Sequence, residues 1–210
     1  LAVTSLQGDS FSVQYSDGSP DVNVAIDPAG TARQAAATIN DVRGLSASAT
    51  TTATENGITD SSIASANSTG SFTFSLDING APLALDTNNI NSLQDLVDSI
   101  NNSSEAAISA SAVDDGTGTN VLRVIHNQGE TLDYSFGDGT TTTDPAPVLG
   151  DVNVTADRVV ASVTDPLDGT FETAFNASPI RITNEFNPLD QRTYNHATST
   201  TIYDSLGNSH

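Results

Sequence analysis

The sequence predicts a mainly β protein with two short helices. We expect two copies of a β-hairpin–helix–β-hairpin unit, followed by part of a β-sandwich or barrel-like domain. Short alternating segments bounded by Gly, Asn, Asp and Pro recur along the chain, as is typical of strands and turns. Two segments place apolar residues at helical spacing, and the order of these signals occurs twice at a distance of about 61 residues.

The predicted hairpins begin at matching positions. Phe11-Ser12-Val13 begins a strand in the first copy, and Phe72-Thr73-Phe74 begins its counterpart in the second. The turn of the second copy contains Asn79-Gly80, a pair that favours a tight hairpin because both residues tolerate positive φ. The first copy has a longer loop in its place.

Each hairpin is followed by a predicted helix with a single apolar stripe at spacing i, i+3, i+4 and i+7. The stripes are Ala32, Ala35, Ala36 and Ile39 in the first copy, and Leu93, Leu96, Val97 and Ile100 in the second. Thr31-x-x-Gln34 and Ser92-x-x-Asp95 predict capping boxes at the two helix starts. After each helix we expect a second hairpin. Its last strand is predicted at Asn120–His126 in the second copy, and in a weaker segment around Ile58–Ala64 in the first.

These signals predict the domain organisation. The first unit spans residues 1–66 and the second spans residues 67–140, and we expect the two to pack on each other or on neighbouring molecules, because a unit of about 60 residues has a marginal core. Residues 141–151 are a linker without periodicity. Residues 152–210 begin a third, incomplete β domain. We expect a longer polypeptide, because the final turn ends where the returning strand of a hairpin should begin.

Composition excludes several classes of function. The chain has 26 acidic and 6 basic residues, no lysine, and a formal net charge of −20. Phosphate recognition needs clustered Lys and Arg, so we expect no nucleic-acid partner. The same charge disfavours anionic membranes, and no apolar run approaches the length of a transmembrane helix. Cysteine is absent, which excludes disulfides and thiolate metal sites.

The residues that could carry chemistry are few, and we predict no catalytic, cofactor-binding or metal site. A nucleophilic mechanism needs a base, and the available imidazoles are His126, His196 and His210. Calcium could bind acidic glycine-containing turns at 114–118 or at Asp133 with Asp138-Gly139. Neither turn has the spacing of an EF-hand loop, and hairpin turns explain them as well. We therefore expect no enzyme and no cofactor.

One segment resembles a known family. The run from Tyr194 to His210, which includes Thr198-Ser199-Thr200-Thr201-Ile202 and Tyr203-Asp204-Ser205-Leu206-Gly207-Asn208, is similar to a strand and turn of bacterial flagellar hook proteins. The lead-in from Asn187-Pro188 to Thr193-Tyr194-Asn195 resembles the same family. The resemblance covers roughly the last 25 residues. It implies a structural subunit of an extracellular assembly, the bacterial flagellar hook, and marks the start of the outer β domain of that family.

The repeats are similar to small insertion motifs in the variable outer regions of flagellins and related axial proteins. Together the resemblances imply a hook subunit with an enlarged surface-exposed region, whose partners are other copies of the same subunit and other flagellar axial proteins. We expect the region from about Val152 onward to provide subunit contacts while the repeats project outward. The alternative is a bacterial surface adhesin or glycan-binding β module.

Overall fold

The computed structural model describes residues 2–4, 6, 8–137, 142–166 and 169–177. The chain divides into two compact units, Leu1–Pro179 and Ile180–His210, of which the second lies outside the described residues. Within the described residues there are four helices: α1 (Ala32–Asn40), α2 (Asp60–Ser68), α3 (Leu93–Asn101) and α4 (Thr170–Ala177). The strands are β1 (Ala2–Thr4), β2 (Ser10–Tyr15), β3 (Val22–Ala25), β4 (Leu45–Glu55), β5 (Thr73–Ile78), β6 (Ala81–Pro82), β7 (Ile108–Asp114), β8 (Asn120–His126), β9 (Leu132–Gly137), β10 (Thr142–Thr143), β11 (Asp151–Ala156) and β12 (Val160–Thr164).

The strands form three antiparallel sheets. Their orders are β1-β11-β4-β8-β7, β10-β9-β5-β6 and β12-β2-β3. The predicted class, mainly β with short helices, is confirmed, and none of the sheets built from the described residues closes into a barrel. The helices number four in this part of the chain rather than the two that were predicted.

The predicted internal repeat is visible in the helices. α1 begins at Ala32 and α3 at Leu93, and each buries the four apolar residues that the sequence places on its stripe. Ile39 and Ile100 are fully buried, and each contributes roughly 1.5–3 kcal/mol through the hydrophobic effect. The capping box at Thr31 and Gln34 is complete. At the other start, Ser92 caps the Asp95 N–H, while the Asp95 carboxylate accepts from the Asn91 N–H.

The hairpins of the second copy follow the prediction closely. Asn79 and Gly80 have φ of 51° and 75°, as the predicted turn between β5 and β6 requires. Asn120–His126 forms β8 and pairs with β7 across the predicted turn. β9 then returns to pair with β5.

The two copies are nested, whereas the sequence predicted consecutive units. In the first copy, the N-terminal half of β4 pairs with β11, and β12 pairs with β2. These are the pairings that β7–β8 and β9–β5 make in the second copy. Because Thr50 lies opposite Asp151, residues 51–150 are inserted into the β4–β11 hairpin. We call residues 2–50 and 151–177 the first lobe, and residues 51–150 the second lobe.

Strand β4 is shared between the lobes. Its first half pairs with β11, and its second half, from Thr51 to Glu55, pairs with β8. Each lobe has its own hydrophobic core, and β4 contributes Ala49 to the first and Ala53 to the second. β8 of the second lobe corresponds to β11 of the first. The second half of β4 pairs with β8 in the same way as β1 pairs with β11.

The segment around Ile58–Ala64 is helical, and the prediction of a strand there is wrong. Residues Asp60–Ser68 form α2, which begins with a capping box between Thr59 and Ser62. The helix buries Ile63 and Ala66 in the second core. Two apolar contacts in a Ser-rich segment give a weak helical pattern, and the strand that was expected here is supplied by β11 instead.

The region around the predicted linker is also packed. β10 pairs with the end of β9, and Val148 exchanges two backbone hydrogen bonds with Leu132 at 2.7 and 3.0 Å. The segment from Val152 does not begin a separate sheet, because β11 and β12 complete the sheets of the first lobe. After β12 the chain forms α4, where Phe171 stacks on Phe11 with ring centroids 3.9 Å apart.

An asparagine at the end of each repeat helix clamps the strand that follows. Asn40 donates to the Ala47 carbonyl at 2.8 Å and accepts from the Ala47 N–H at 2.7 Å. Asn101 makes the same pair of bonds with Ala110, at 3.0 and 2.7 Å. β7 is an edge strand, so Asn101 occupies backbone groups that another strand could otherwise pair with.

We expect Asn40→Ala and Asn101→Ala each to lower the free energy of unfolding by about 1–2 kcal/mol, because two hydrogen bonds are lost at each site. Urea denaturation measures this. Asn101→Asp is the matched control: it keeps the acceptor for the Ala110 N–H but places a carboxylate against the Ala110 carbonyl. The free energy of unfolding of Asn101→Asp should therefore fall by nearly as much as that of Asn101→Ala. If neither alanine substitution changed the free energy of unfolding, water would replace the hydrogen bonds of the asparagine side chain.

Candidate functional site

One of the three histidines predicted as candidate bases lies within the described residues. His126 lies at the end of β8 and is only 2% exposed. Its Nδ1 accepts a hydrogen bond from the Glu130 N–H at 3.3 Å. Burial is the main cause that lowers its pKa below the usual value. His196 and His210 lie outside the described residues.

The acidic turn at 114–118 has its carboxylates occupied by its own backbone. One Asp114 oxygen accepts from the Gly116 N–H at 2.6 Å and from the Gly118 N–H at 3.2 Å. Asp115 accepts from the backbone and hydroxyl of Thr117, which lowers the pKa of its carboxyl. These bonds are those of a β-hairpin turn.

The second calcium candidate is divided. Asp133 lies on β9 opposite Asp77, whereas Asp138 and Gly139 lie outside the described residues. In the part of the chain that the structure describes, no group of three or more His, Asp or Glu side chains is placed to hold a metal ion. The absence of a metal site from the whole chain remains a prediction.

An open cleft of about 540 Å³ lies beside α3. Its lining combines acidic and small polar side chains: Ala84, Asp86, Asn89, Ile90, Asp95, Asp98, Ser99, Asn102, Ser103 and Ser104. Asp95 is already engaged by the Asn91 N–H, which lowers the pKa of its carboxyl. The lining contains no aromatic ring on which a sugar could stack.

Glu55 is an unusual carboxylate that the sequence does not single out. It ends β4, partly buried, and accepts a hydrogen bond from the Tyr134 hydroxyl on β9. This bond links the five-stranded sheet to the four-stranded sheet within the second lobe. Burial raises the pKa of Glu55 to about 7, because it penalises the charged form.

We expect Glu55 to make stability fall as pH rises. Its pKa is raised on folding, so the folded protein binds more protons between the ordinary value of 4.5 and about 7, and stability decreases through that window. Glu55→Gln should be more stable than the parent protein at pH 8 by about 1 kcal/mol; partial exposure reduces the full effect. Urea denaturation at pH 5, 6, 7 and 8 measures the difference. Parallel pH curves for the two proteins would contradict the assignment.

The turn that follows β8, at residues 127–130, contacts α1 of the first lobe and the shared strand β4. The Arg33 N–H of α1 donates to the Gly129 carbonyl at 3.2 Å. The Arg33 guanidinium pairs with the Glu130 carboxylate at 3.1 Å, and Glu130 is mostly buried with 16% of its side chain exposed. The Thr51 hydroxyl donates to the Glu130 carbonyl at 2.6 Å. We call these contacts, with His126, the interlobe junction.

The junction is packed tightly around two glycines. A Cβ on Gly129 would lie 2.3 Å from the Cβ of Ala49, and a Cβ on Gly150 would lie 2.8 Å from the Cβ of Ala32. Only glycine permits the backbones to approach this closely. Sequence reasoning could not find the junction, because its members lie far apart in the chain and Arg33 and Glu130 pair across 97 residues.

The outer face of the five-stranded sheet is polar and open. Its cross-strand pairs include Ser48 with Asn153 and Thr50 with Asp151. Exposed side chains on this side are short and mostly uncharged: Ser46, Ser48, Thr50, Thr52, Thr54, Ser109, Ser111, Asp151, Asn153 and Thr155. Among the described helices, none combines the length and apolarity that a membrane crossing needs.

A comparison with known families adds one finding. Residues 166–210 match the family described as the flagellar basal body protein FlaE D2 domain. No curated protein sequence matches the chain. The matched segment includes the run from Tyr194 to His210, which resembles hook proteins by its motif, and α4 lies within it. Over this segment, the match supports a relationship to the flagellar hook protein family and assembly with hook subunits.

Proposed function

We propose that this chain is the outer, surface-exposed part of a structural subunit of the bacterial flagellar hook, the joint that transmits motor torque to the filament. The observation that carries the proposal is the family match at residues 166–210, which contains the motif from Tyr194 to His210. The proposed role is mechanical, and no side chain acts as a catalyst.

The two lobes then form an enlarged region placed before the family-typical outer domain. The connectivity supports different roles for the two lobes. The first lobe continues along the chain from β12 into the matched segment, whereas the second lobe joins the protein through the β4–β11 hairpin. We infer that the second lobe is a decoration and that subunit contacts lie in the matched segment, with other copies and other axial proteins as partners.

The surface chemistry suits this role. Subunits that move past one another need contacts that exchange, and small polar side chains make weak, reversible ones. The open face of the five-stranded sheet has this composition. A formal net charge of −20 keeps the remaining surfaces apart and the exported protein soluble.

Complementation of bacteria that lack their hook subunit tests the proposal. The full-length polypeptide that contains this chain should restore hooks visible by electron microscopy. Replacing residues 51–150 with the turn sequence of Asp114–Asn120 should leave hook assembly intact. Replacing Tyr203, Asp204 and Ser205 with alanine should abolish it, and Ser61→Ala with Ser65→Ala, on the exposed side of α2, is the surface control.

The outcomes separate the parts of the proposal. Failure of the full-length polypeptide to enter hooks would refute the function. Hook formation by the full-length protein, followed by its loss on removal of residues 51–150, would refute only the placement of the second lobe.

A further inference from the structure

The turn at residues 127–130 depends on the charge state of one imidazole. Its carbonyls accept from the first lobe through the Arg33 N–H and from the shared strand through the Thr51 hydroxyl. Its last N–H, on Glu130, donates to His126 Nδ1. An imidazole nitrogen accepts this bond only while it carries no proton.

We propose that the interlobe junction is an acid-sensitive latch: proton uptake at His126 Nδ1 removes the acceptor of the Glu130 N–H, loosens the turn at residues 127–130 and weakens the coupling between the lobes. The same event affects both lobes because the turn belongs to the second lobe while Arg33 belongs to α1 of the first. Both carbonyl bonds and the Arg33–Glu130 ion pair depend on the position of this turn.

The groups that surround His126 determine the direction in which its pKa is shifted. Across the sheet it faces Thr51 of β4 and Ile108 of β7, neither of which titrates. The charged groups near it are Glu105 before β7, Glu130 in the turn and Arg33 of α1. Burial lowers the His126 pKa, the two carboxylates act in the opposite direction, and Arg33 adds to the lowering.

One oxygen of Glu130 strengthens the inference. Its Oε2 is buried and has no hydrogen-bond partner, while Oε1 pairs with Arg33. A buried acceptor without a donor is a destabilised arrangement. It offers a protonated imidazole an alternative partner, so a second arrangement of the turn becomes accessible at low pH.

The direction of the pH effect follows from linkage. A histidine whose pKa is lowered in the closed junction stabilises that junction fully above its ordinary value of 6.5. The stabilisation is lost as the pH falls below 6.5. Glu55 acts in the opposite direction between pH 4.5 and 7, so the experiment uses the Glu55→Gln variant of the chain.

Amide hydrogen exchange followed by NMR tests the latch. In the Glu55→Gln chain, protection of the Arg33 and Glu130 N–H groups, corrected for intrinsic exchange, should fall by up to about tenfold between pH 7.5 and 5.5, because this range covers about one pH unit below the ordinary histidine value. The Leu83 N–H, which donates to the Leu76 carbonyl at 2.8 Å away from the junction, should keep its protection. His126→Asn is the matched variant, since its side-chain oxygen still accepts a hydrogen bond and does not titrate.

The proposal is overturned if protection at Arg33 and Glu130 stays constant over this range, or if His126→Asn shows the same loss. Should His126→Asn fail to fold, the imidazole titration in the Glu55→Gln chain replaces it. The loss of Glu130 protection must then lie between pH 6.5 and the titration midpoint of His126, and a loss outside that interval contradicts the latch.

Discussion

Gly129→Ala is expected to lower the free energy of unfolding by about 2–5 kcal/mol, one of the two largest effects that we expect in this protein. Two independent terms add. Gly129 has a φ of 75°, where an L side chain costs roughly 1–2 kcal/mol. The added Cβ would also lie 2.3 Å from the Ala49 Cβ and 3.1 Å from the Ala49 carbonyl carbon. This overpacking costs a further roughly 1–3 kcal/mol.

The neighbouring atoms cannot relax easily. Ala49 lies in β4, which is paired with β11 at this point, so the strand is held in place. The turn itself is held by the Arg33 N–H and the Thr51 hydroxyl. A shift that relieves the clash therefore breaks bonds of the interlobe junction.

Gly116→Ala is the matched control. Gly116 has a φ of 89°, also in the left-handed region, but a Cβ there would have no neighbour within 4 Å. This variant should lose only the backbone term of roughly 1–2 kcal/mol. Urea denaturation of both variants at pH 7.5 gives the comparison. Equal losses would show that packing at the junction contributes nothing.

The local features of the fold could be predicted from the sequence because their signals are local. Ile39 and Ile100 lie on helical stripes, and Asn79-Gly80 specifies its own turn. The order of the copies could not be predicted. The strand that completes the first copy begins at Asp151, and an alternating pattern such as that of Val152 and Val154 does not identify the strand with which it pairs.

The same limit applies to the candidate site. The sequence shows no catalytic or metal-binding motif, and it indicated His126 only as a candidate base. Its role in the junction depends on Glu130, four residues away, and on Thr51 and Arg33, which the fold brings to it. Glu55 likewise had no signal in the sequence, because its burial against Tyr134 results from the pairing of β5 and β9 in a second sheet.

Removing the second lobe should leave the first lobe folded. We expect a chain in which the sequence of Asp114–Asn120 replaces residues 51–150 to unfold in one cooperative transition, since β7 and β8 show that this turn closes an equivalent hairpin. The first core keeps its own members, including Phe11, Ile39, Val152 and Phe171. The heat-capacity change of unfolding should fall by roughly 1.2–1.5 kcal/mol/K, the value for about 100 residues.

Deleting residues 67–140 is the discriminating control, because it follows the boundaries of consecutive units. That deletion removes α3, β5 through β9 and the end of α2, and it leaves Ile63 and Ala66 without the core that buries them. The second half of β4 also loses β8 and becomes an open edge, which favours aggregation. Differential scanning calorimetry and size-exclusion chromatography compare the two deletions. A folded monomer after deletion of residues 67–140, together with an unfolded chain after removal of residues 51–150, would contradict the nested architecture. Because both deletions remove much of the second lobe, the difference between them depends on whether the cut follows the β4–β11 hairpin.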